Sequence, residues 1–290
     1  AQEFFGQGLS DDEAAAVMDA AWELGITHFD TADAYGGGRS ERAIGAWIRS
    51  RGVRPTLTTK TFHPIAAGAD HGLAPARVRR QLDASLERLG IDRVELYLAH
   101  EPDPDVPLAD ALAAFDELRA AGAIGAYGVS NFDAAQLEQA LEVAAPVAIQ
   151  NGHSLLQRGD DAGVLPLCAR HGVAYIAFSP LCGGWLTGKY RRASAYPAES
   201  RMTQRPEPYA ALADDRTFTA LEALERISLE RGTSMAATAL AWLLADGRIA
   251  QIVLGPGRPE HLAPVREAIE RPLTVAERAR ISELFSGCGS

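Results

Sequence analysis

Apolar and polar positions along the chain alternate between two periods. Ser10-Asp11-Asp12-Glu13 places a serine and a glutamate three residues apart, the pattern of a capping box. An apolar helical period follows through Val17, Ala21 and Leu24, and Gly25 ends it. The next segment, THFD, is short and strand-like. The pair then recurs: SERAIGAWIRS as helix with PTLTTK as strand, PARVRRQLDASLERLG (closed by Gly90) with VELYLAH, and LADALAAFDELRAAG (closed by Gly122) with IGAYGVS. DAAQLEQALEVA precedes the strand PVAIQN, and GVLPLCARHG precedes VAYIAFS. Residues 181–213 break the rhythm, and their Pro, Gly, Arg and Tyr content predicts an ordered functional loop or a lid. Helices are predicted near 214–231 and 234–245, then a strand IAQIVLG, a helix PEHLAPVREAI and a last helix TVAERARISELF.

Strand alternating with helix implies a parallel sheet. Seven strands are clear, and AQEFFGQG, before residue 10, leaves a place for an eighth. Eight such units closing into a (β/α)8 TIM barrel suit a chain of 290 residues. The rival, a doubly wound open sheet, usually carries GxGxxG after its first strand, and none occurs near the start. The expectation is one α/β barrel domain over residues 1–290, beginning inside or just after its first strand.

In such a barrel the reactive side chains sit at the C-terminal ends of the strands. Asp30 ends the second strand and Tyr35 lies in its loop; Lys60 ends the third, and His100 the fourth. Ser130 and Asn131 end the fifth, Gln150 and Asn151 the sixth, Phe178 and Ser179 the seventh, and Gly255 the eighth. Singly, each has an ordinary structural role: a turn aspartate, a surface tyrosine, a snorkelling lysine, a core histidine. Their recurrence at corresponding strand ends favours a site. The run Gly36-Gly37-Gly38 reads as a turn into the next helix, since no lysine or threonine stands in P-loop spacing. His28, His63, His71, His153, His171 and His261 fall mostly in loops or helices; only His63, close behind the third strand, is kept in view.

Composition narrows the partners. A net charge of −10 argues against nucleic acid or an anionic membrane as the main partner, but leaves a small anionic ligand open. No eighteen-residue apolar run and no charged-then-apolar leader occur, so neither a membrane span nor a signal peptide is expected. Cys168, Cys182 and Cys288 lack CxxC spacing and read as free thiols of a reducing cytoplasm, with no metal site.

A phenol ordinarily titrates near 10. A nearby lysine ammonium favours the phenolate, and a carboxylate keeps that lysine charged. A histidine can donate to a carbonyl oxygen. Asp30, Tyr35, Lys60 and His100 supply these four roles and could protonate a carbonyl oxygen as negative charge develops on it. They lack a hydride, which a cofactor must bring. Ser130, Asn131 and Gln150 suit a carboxamide, Phe178 a nicotinamide face, and SPLCGGWLTGKY offers backbone amides and Lys189 to a pyrophosphate.

FDTADAYGGGRSE, LTTK, LYLAHEPD, GAYGVSNF, IQNGHSLL, FSPLCGGWLTGKY and VLGPGRPEHL run in the order of the aldo-keto reductases. The sequence resembles that family, specifically the bacterial short-loop members related to the potassium-channel β subunits. The resemblance covers nearly the whole chain. It implies a (β/α)8 barrel that binds NADP(H) along the rim and reduces aldehydes or ketones. Tyr35 would be the general acid, Lys60 and Asp30 would tune it, and His100 would orient the carbonyl. Asp30, Ser130, Asn131 and Gln150 would face the nicotinamide end, and Phe178 would stack on the ring. Ser179, Pro180, Leu181, Cys182 and Lys189 would line the pyrophosphate. At the adenosine end, Gly257, His261 and Pro264-Val265 stand where many members have a serine, a glutamine and a Glu-Asn pair. Arg258, one position later than the usual arginine, is the candidate reader of a 2′-phosphate. The family's N-terminal hairpin is absent.

Two other functions fit the same residues: a cofactor-binding regulatory or sensor subunit with slow turnover, and a lyase using Lys60 as a Schiff-base amine, which would need a lowered lysine pKa. Phe4, Phe5, Phe62, His63 and Trp185 are candidates to wall a pocket for ring-containing carbonyls or, equally, to anchor loops.

Overall fold

The computed structural model describes residues 9–288. In chain order the elements are α1 (Asp11–Glu23), β1 (His28–Asp30), α2 (Arg39–Arg51), β2 (Thr56–Thr61), α3 (Pro75–Leu89), β3 (Val94–Ala99), α4 (Leu108–Ala120), β4 (Ile124–Ser130), α5 (Ala134–Val143), β5 (Ala148–Gly152), α6 (Val164–His171), β6 (Ala174–Phe178), a short α7 (Arg201–Gln204), α8 (Asp215–Arg231), α9 (Met235–Leu244), β7 (Ile249–Ile252), α10 (Ala263–Glu270) and α11 (Val275–Leu284). These follow the expected alternation closely. The expected eighth strand, before residue 10, lies outside the described residues, as do Phe4 and Phe5.

The chain forms two compact units. The first runs up to Gln150 and includes Leu167–Ala174 and Pro256–Pro259. Within it, β1, β2, β3 and β4 pair in parallel, and β4 pairs with β5. The register sets Asp30 beside Thr58, Lys60 beside Leu98 and Ser130 beside Gln150. Parallel pairing therefore carries these polar residues to one edge of the sheet.

Local rules explain the helices around it. Ser10 and Glu13 form a full capping box on α1, as do Asp133 and Gln136 on α5. Pro75 opens α3, and Gly90, left-handed at φ 69°, closes it. The α3 side chains Val78, Leu82 and Leu89 are fully buried, as are Tyr97, Leu98, Leu112, Phe115, Val129 and Ile149. Burying each such large side chain contributes about 1.5–3 kcal/mol. Helix α1 is fastened to α2 by Trp22, Phe29 and Trp47 and by Asp19, which accepts from Trp47 Nε1 at 2.8 Å.

The second unit holds Asn151–Pro166, Tyr175–Gly255 and the chain from Glu260 on. In it β6 pairs in parallel with β7. Helix α9 is buried from Met235 to Leu243. Residues 181–213 contain only 3-10 turns and the four-residue α7. They are ordered by Trp185, which is fully buried against Tyr190, Tyr196 and Phe218. Trp185 is thus a core anchor of that segment and not a pocket wall.

Gly45 lets α2 approach the end of α3: a Cβ there would lie 2.4 Å from the Leu89 carbonyl oxygen. Gly45→Ala must push α2 off α3. It is expected to cost about 1–3 kcal/mol, measured by urea unfolding of the two proteins.

Candidate active site

The site in the first unit is built on strand ends. Asp30 is the last residue of β1, Lys60 the penultimate residue of β2, and His100 follows β3 directly. Tyr35 reaches the same edge because the β1–α2 loop is laced to β2. Thr31 N–H donates to Thr58 O at 2.8 Å, and Asp33 N–H to Lys60 O at 3.0 Å. Gly36, Gly37 and Gly38 then stand at φ 59°, 62° and 83°, a left-handed run that turns the chain from Tyr35 into α2. The glycines are the turn the sequence predicted.

Lys60 is 1% exposed. Its ammonium pairs with Asp30 Oδ1 and donates to Thr31 O at 2.9 Å. The other oxygen of Asp30 accepts from Gln150 Nε2 at 2.8 Å. Lys60 Nζ also lies over the Tyr35 ring, 5.2 Å from its centroid. On the other side, Tyr35 Oη is 3.4 Å from His100 Nε2, with the rings edge to face. The structure thus brings all four predicted catalytic residues together.

Their protonation states follow from burial and charge. Burial alone would lower the Lys60 pKa, but Asp30 and Tyr35 raise it further, so the ammonium persists. Burial raises the Tyr35 phenol above its ordinary value; Lys60 opposes this without winning, while Asp30 reinforces it. The expectation that the lysine sets the direction of this pKa is corrected here: dehydration of the phenol outweighs it. His100 is held well below its usual value by burial first, then by Lys60 and His63. At pH 7 the trio is therefore an ammonium, a neutral phenol and a neutral imidazole.

Two residues outside the predicted catalytic four adjoin the group. Glu101, directly after His100, accepts from Asn131 Nδ2 at 3.0 Å and lies 3.7 Å from His63 Nε2. Asn131 also donates to His100 O at 2.9 Å from a left-handed backbone at φ 60°. His63 packs edge-on to His100, 4.8 Å between centroids, and Phe62 packs on His63 and His71. Asp33, in the same loop as Tyr35, is wholly buried. Adjacency to His100 was the available signal for Glu101; for Asp33 it was the place between Asp30 and Tyr35.

In the second unit, Phe178 is half-buried, and a Cβ added at Gly152 would touch its ring at 3.5 Å. Ser179, Cys182, Gly183 and Gly184 all have positive φ, from 47° to 95°. A Cβ on Gly184 would sit 2.4 Å from Lys189 Nζ. An exposed ammonium therefore lies against a bare, curled backbone, a donor set that fits a pyrophosphate. The Cys182 side chain points away from any such role: it is buried, and burial pushes its thiol up to about 12. Arg258 and His261 are exposed.

Residues 1–285 match the Aldo/keto reductase family. The chain belongs to that family. Its relatives include the uncharacterized oxidoreductase YrpG of Bacillus subtilis, 31% identical across 98% of this chain and 90% of that protein. A putative voltage-gated potassium channel subunit beta of Schizosaccharomyces pombe is also 31% identical, across 91% of this chain and 81% of its own length. Among solved structures, the glycerol dehydrogenase of Gluconobacter oxydans matches with a TM-score of 0.86 at 27% identity, over 97% of this chain and 88% of that one. The fold is accordingly the (β/α)8 barrel of the aldo/keto reductases, and the chain is an oxidoreductase by kinship.

Within the aldo/keto reductase site, Lys60→Met would leave the Asp30 carboxylate without its cation. Breaking a buried pair in this way costs about 3–5 kcal/mol. Urea unfolding should show that loss, whereas Lys60→Arg should lose less.

Proposed function

We propose that the chain is an NADP(H)-dependent reductase of aldehydes or ketones, with Tyr35 as general acid. The observation that carries this is a partly buried Tyr35 phenol set between the buried Lys60 ammonium, 5.2 Å from its ring centroid, and His100 Nε2, 3.4 Å from its hydroxyl. A neutral phenol has a proton to give. Lys60 stabilises the phenolate that remains, and Asp30 keeps Lys60 charged and fixed. Neutral His100 holds one N–H, which can orient the carbonyl oxygen beside Tyr35. General acid catalysis of this kind is worth roughly 10²–10⁴ in rate.

The nicotinamide cofactor, when bound, supplies the hydride that adds to the carbonyl carbon while the Tyr35 proton goes to the oxygen. In the first unit, Asp30, Ser130, Asn131 and Gln150 are the proposed contacts of the nicotinamide end, with Gly257 and Arg258 toward the adenosine. In the second, Phe178 is the proposed ring contact, Ser179, Pro180, Leu181, Cys182 and Lys189 the pyrophosphate contacts, and His261 an adenosine contact. Cys182 would serve through its backbone alone. The partner is a small carbonyl compound, and the proposed location is the cytoplasm. Among the described residues no helix is long and apolar enough to cross a membrane.

The name of the Schizosaccharomyces relative supports a second reading, a cofactor-binding regulatory subunit with slow turnover. Sustained multiple-turnover reduction would exclude it. The Schiff-base lyase has no such support, because Lys60 is held as an ammonium and not as a free amine.

Tyr35→Phe is expected to lower kcat for aldehyde reduction by about 100-fold or more. NADPH affinity, followed by fluorescence titration, should change by less than about twofold. Turnover at the original rate would remove Tyr35 from the acid role. In the same titration NADPH should bind at least as tightly as NADH; a clear NADH preference would contradict Arg258 as the 2′-phosphate reader.

A further inference from the structure

Asp33 lies in the same loop as Tyr35, wholly buried, and one of its two carboxylate oxygens has no hydrogen-bond partner. The other, Oδ2, accepts from Thr61 Oγ1 at 2.7 Å. Thr61 is a junction. Its hydroxyl accepts from Arg77 Nη1 at 2.8 Å, and its carbonyl accepts from the His100 N–H at 3.0 Å. Arg77 in turn donates to the carbonyls of His63 and Gly72, each at 2.9 Å. One short chain of bonds thus joins the Tyr35 loop, the strand end after Lys60, and the backbone of His100.

We propose that Asp33 is a positioning residue for the reaction: its carboxylate, held by Thr61, keeps the Tyr35 loop seated on the strand end that carries Lys60. This rests on the reading of Tyr35 as the acid. The ionised form is what gives the tether its strength, because a hydroxyl bonds a carboxylate more strongly than a neutral carboxyl group.

The same carboxylate is poorly accommodated by the fold. Glu41 on α2 faces it, as do Arg77 and Arg88 on α3 and the Tyr97 phenol on β3. Burial raises Asp33 from 3.8 to about 6, and Glu41 adds to that; Thr61 and the two arginines offset only part. The sign follows from linkage. Between about pH 4 and pH 6 the folded chain holds a proton that the unfolded chain has released, so this site's stabilisation is full below that window and is lost as pH rises through it. At neutral pH ionised Asp33 therefore weakens the fold. Perturbed carboxylates of this kind cluster at functional sites, and the bond to Thr61 links this one to the strand end that carries Lys60.

The test is kcat against pH from 5 to 9, with melting temperature and NADPH affinity, for the full-length protein and two variants. Wild-type kcat should fall below a limb near pH 6. Asp33→Asn should lack that limb and run about tenfold slower at pH 7.5. It should bind NADPH within about twofold of wild type and melt no lower at pH 7.5. Thr61→Val deletes the bond that lowers the Asp33 pKa, so its limb should move to higher pH. Wild-type rate and limb in Asp33→Asn would overturn the inference. A loss of rate accompanied by a lower melting temperature would also overturn it, since that is what a structural role produces. Failure of the underlying reading looks different: Tyr35→Phe would then keep turning over, whatever Asp33→Asn does.

Discussion

A lysine ammonium shut away from water is the charge around which the first unit is arranged. Moving Lys60 into the interior costs several kcal/mol, and an apolar side chain of similar size would avoid that cost. Asp30, the Thr31 carbonyl and, through Asp30, the Gln150 amide offset it. Those partners come from β1, the loop after it and β5, so satisfying one charge ties distant strand ends into one geometry. The same burial decides the neighbouring protons. Burial moves the Tyr35 phenol further above its ordinary value, and burial and the Lys60 cation hold the His100 imidazole below its own. Each state suits proton donation to a carbonyl oxygen, and burial widens the pH range over which the phenol and the imidazole stay neutral.

Much of this was legible in the chain. Alternating periods located the seven described strands, and the capping pair Ser10 and Glu13 marked the start of α1 as the structure has it. Strand-end position alone singled out Asp30, Lys60, His100 and Gln150, because parallel strands deliver their C-terminal residues to one edge. What escaped were side chains whose role depends on contacts between remote segments. Glu41 looks like the solvent-facing start of a helix. It is instead fully buried, accepting from Thr59 Oγ1 and from Arg88 Nε, each at 2.6 Å, with Arg88 47 residues away. His153 seemed an ordinary loop histidine but is buried and stacked on Trp242. Trp185 could equally have lined a pocket or anchored a loop, and only the surrounding tyrosines and Phe218 decide it. The direction of the Tyr35 pKa also depends on burial, which periodicity does not report.

Kinship and geometry contribute different things. The family match establishes the barrel and the oxidoreductase lineage, yet relatives at similar identity carry names as different as an oxidoreductase and a channel subunit. Fold alone therefore does not choose a function. The choice comes from the side chains on the rim: a charged lysine, a protonated phenol and a neutral imidazole form a set for moving a proton. In the second unit, the left-handed backbone beside Lys189 has a shape that fits phosphate oxygens.

The protonation state of Tyr35 decides the matter most directly. In protein labelled with 13C at the tyrosine ring carbon that bears the hydroxyl, the Tyr35 signal can be assigned by its absence in Tyr35→Phe and followed from pH 6 to 11. A phenol whose burial outweighs the neighbouring lysine should remain protonated past pH 10, above the ordinary tyrosine value. Ionisation below about pH 9 would show that Lys60 outweighs burial and would contradict the account in which burial sets the direction of the Tyr35 pKa.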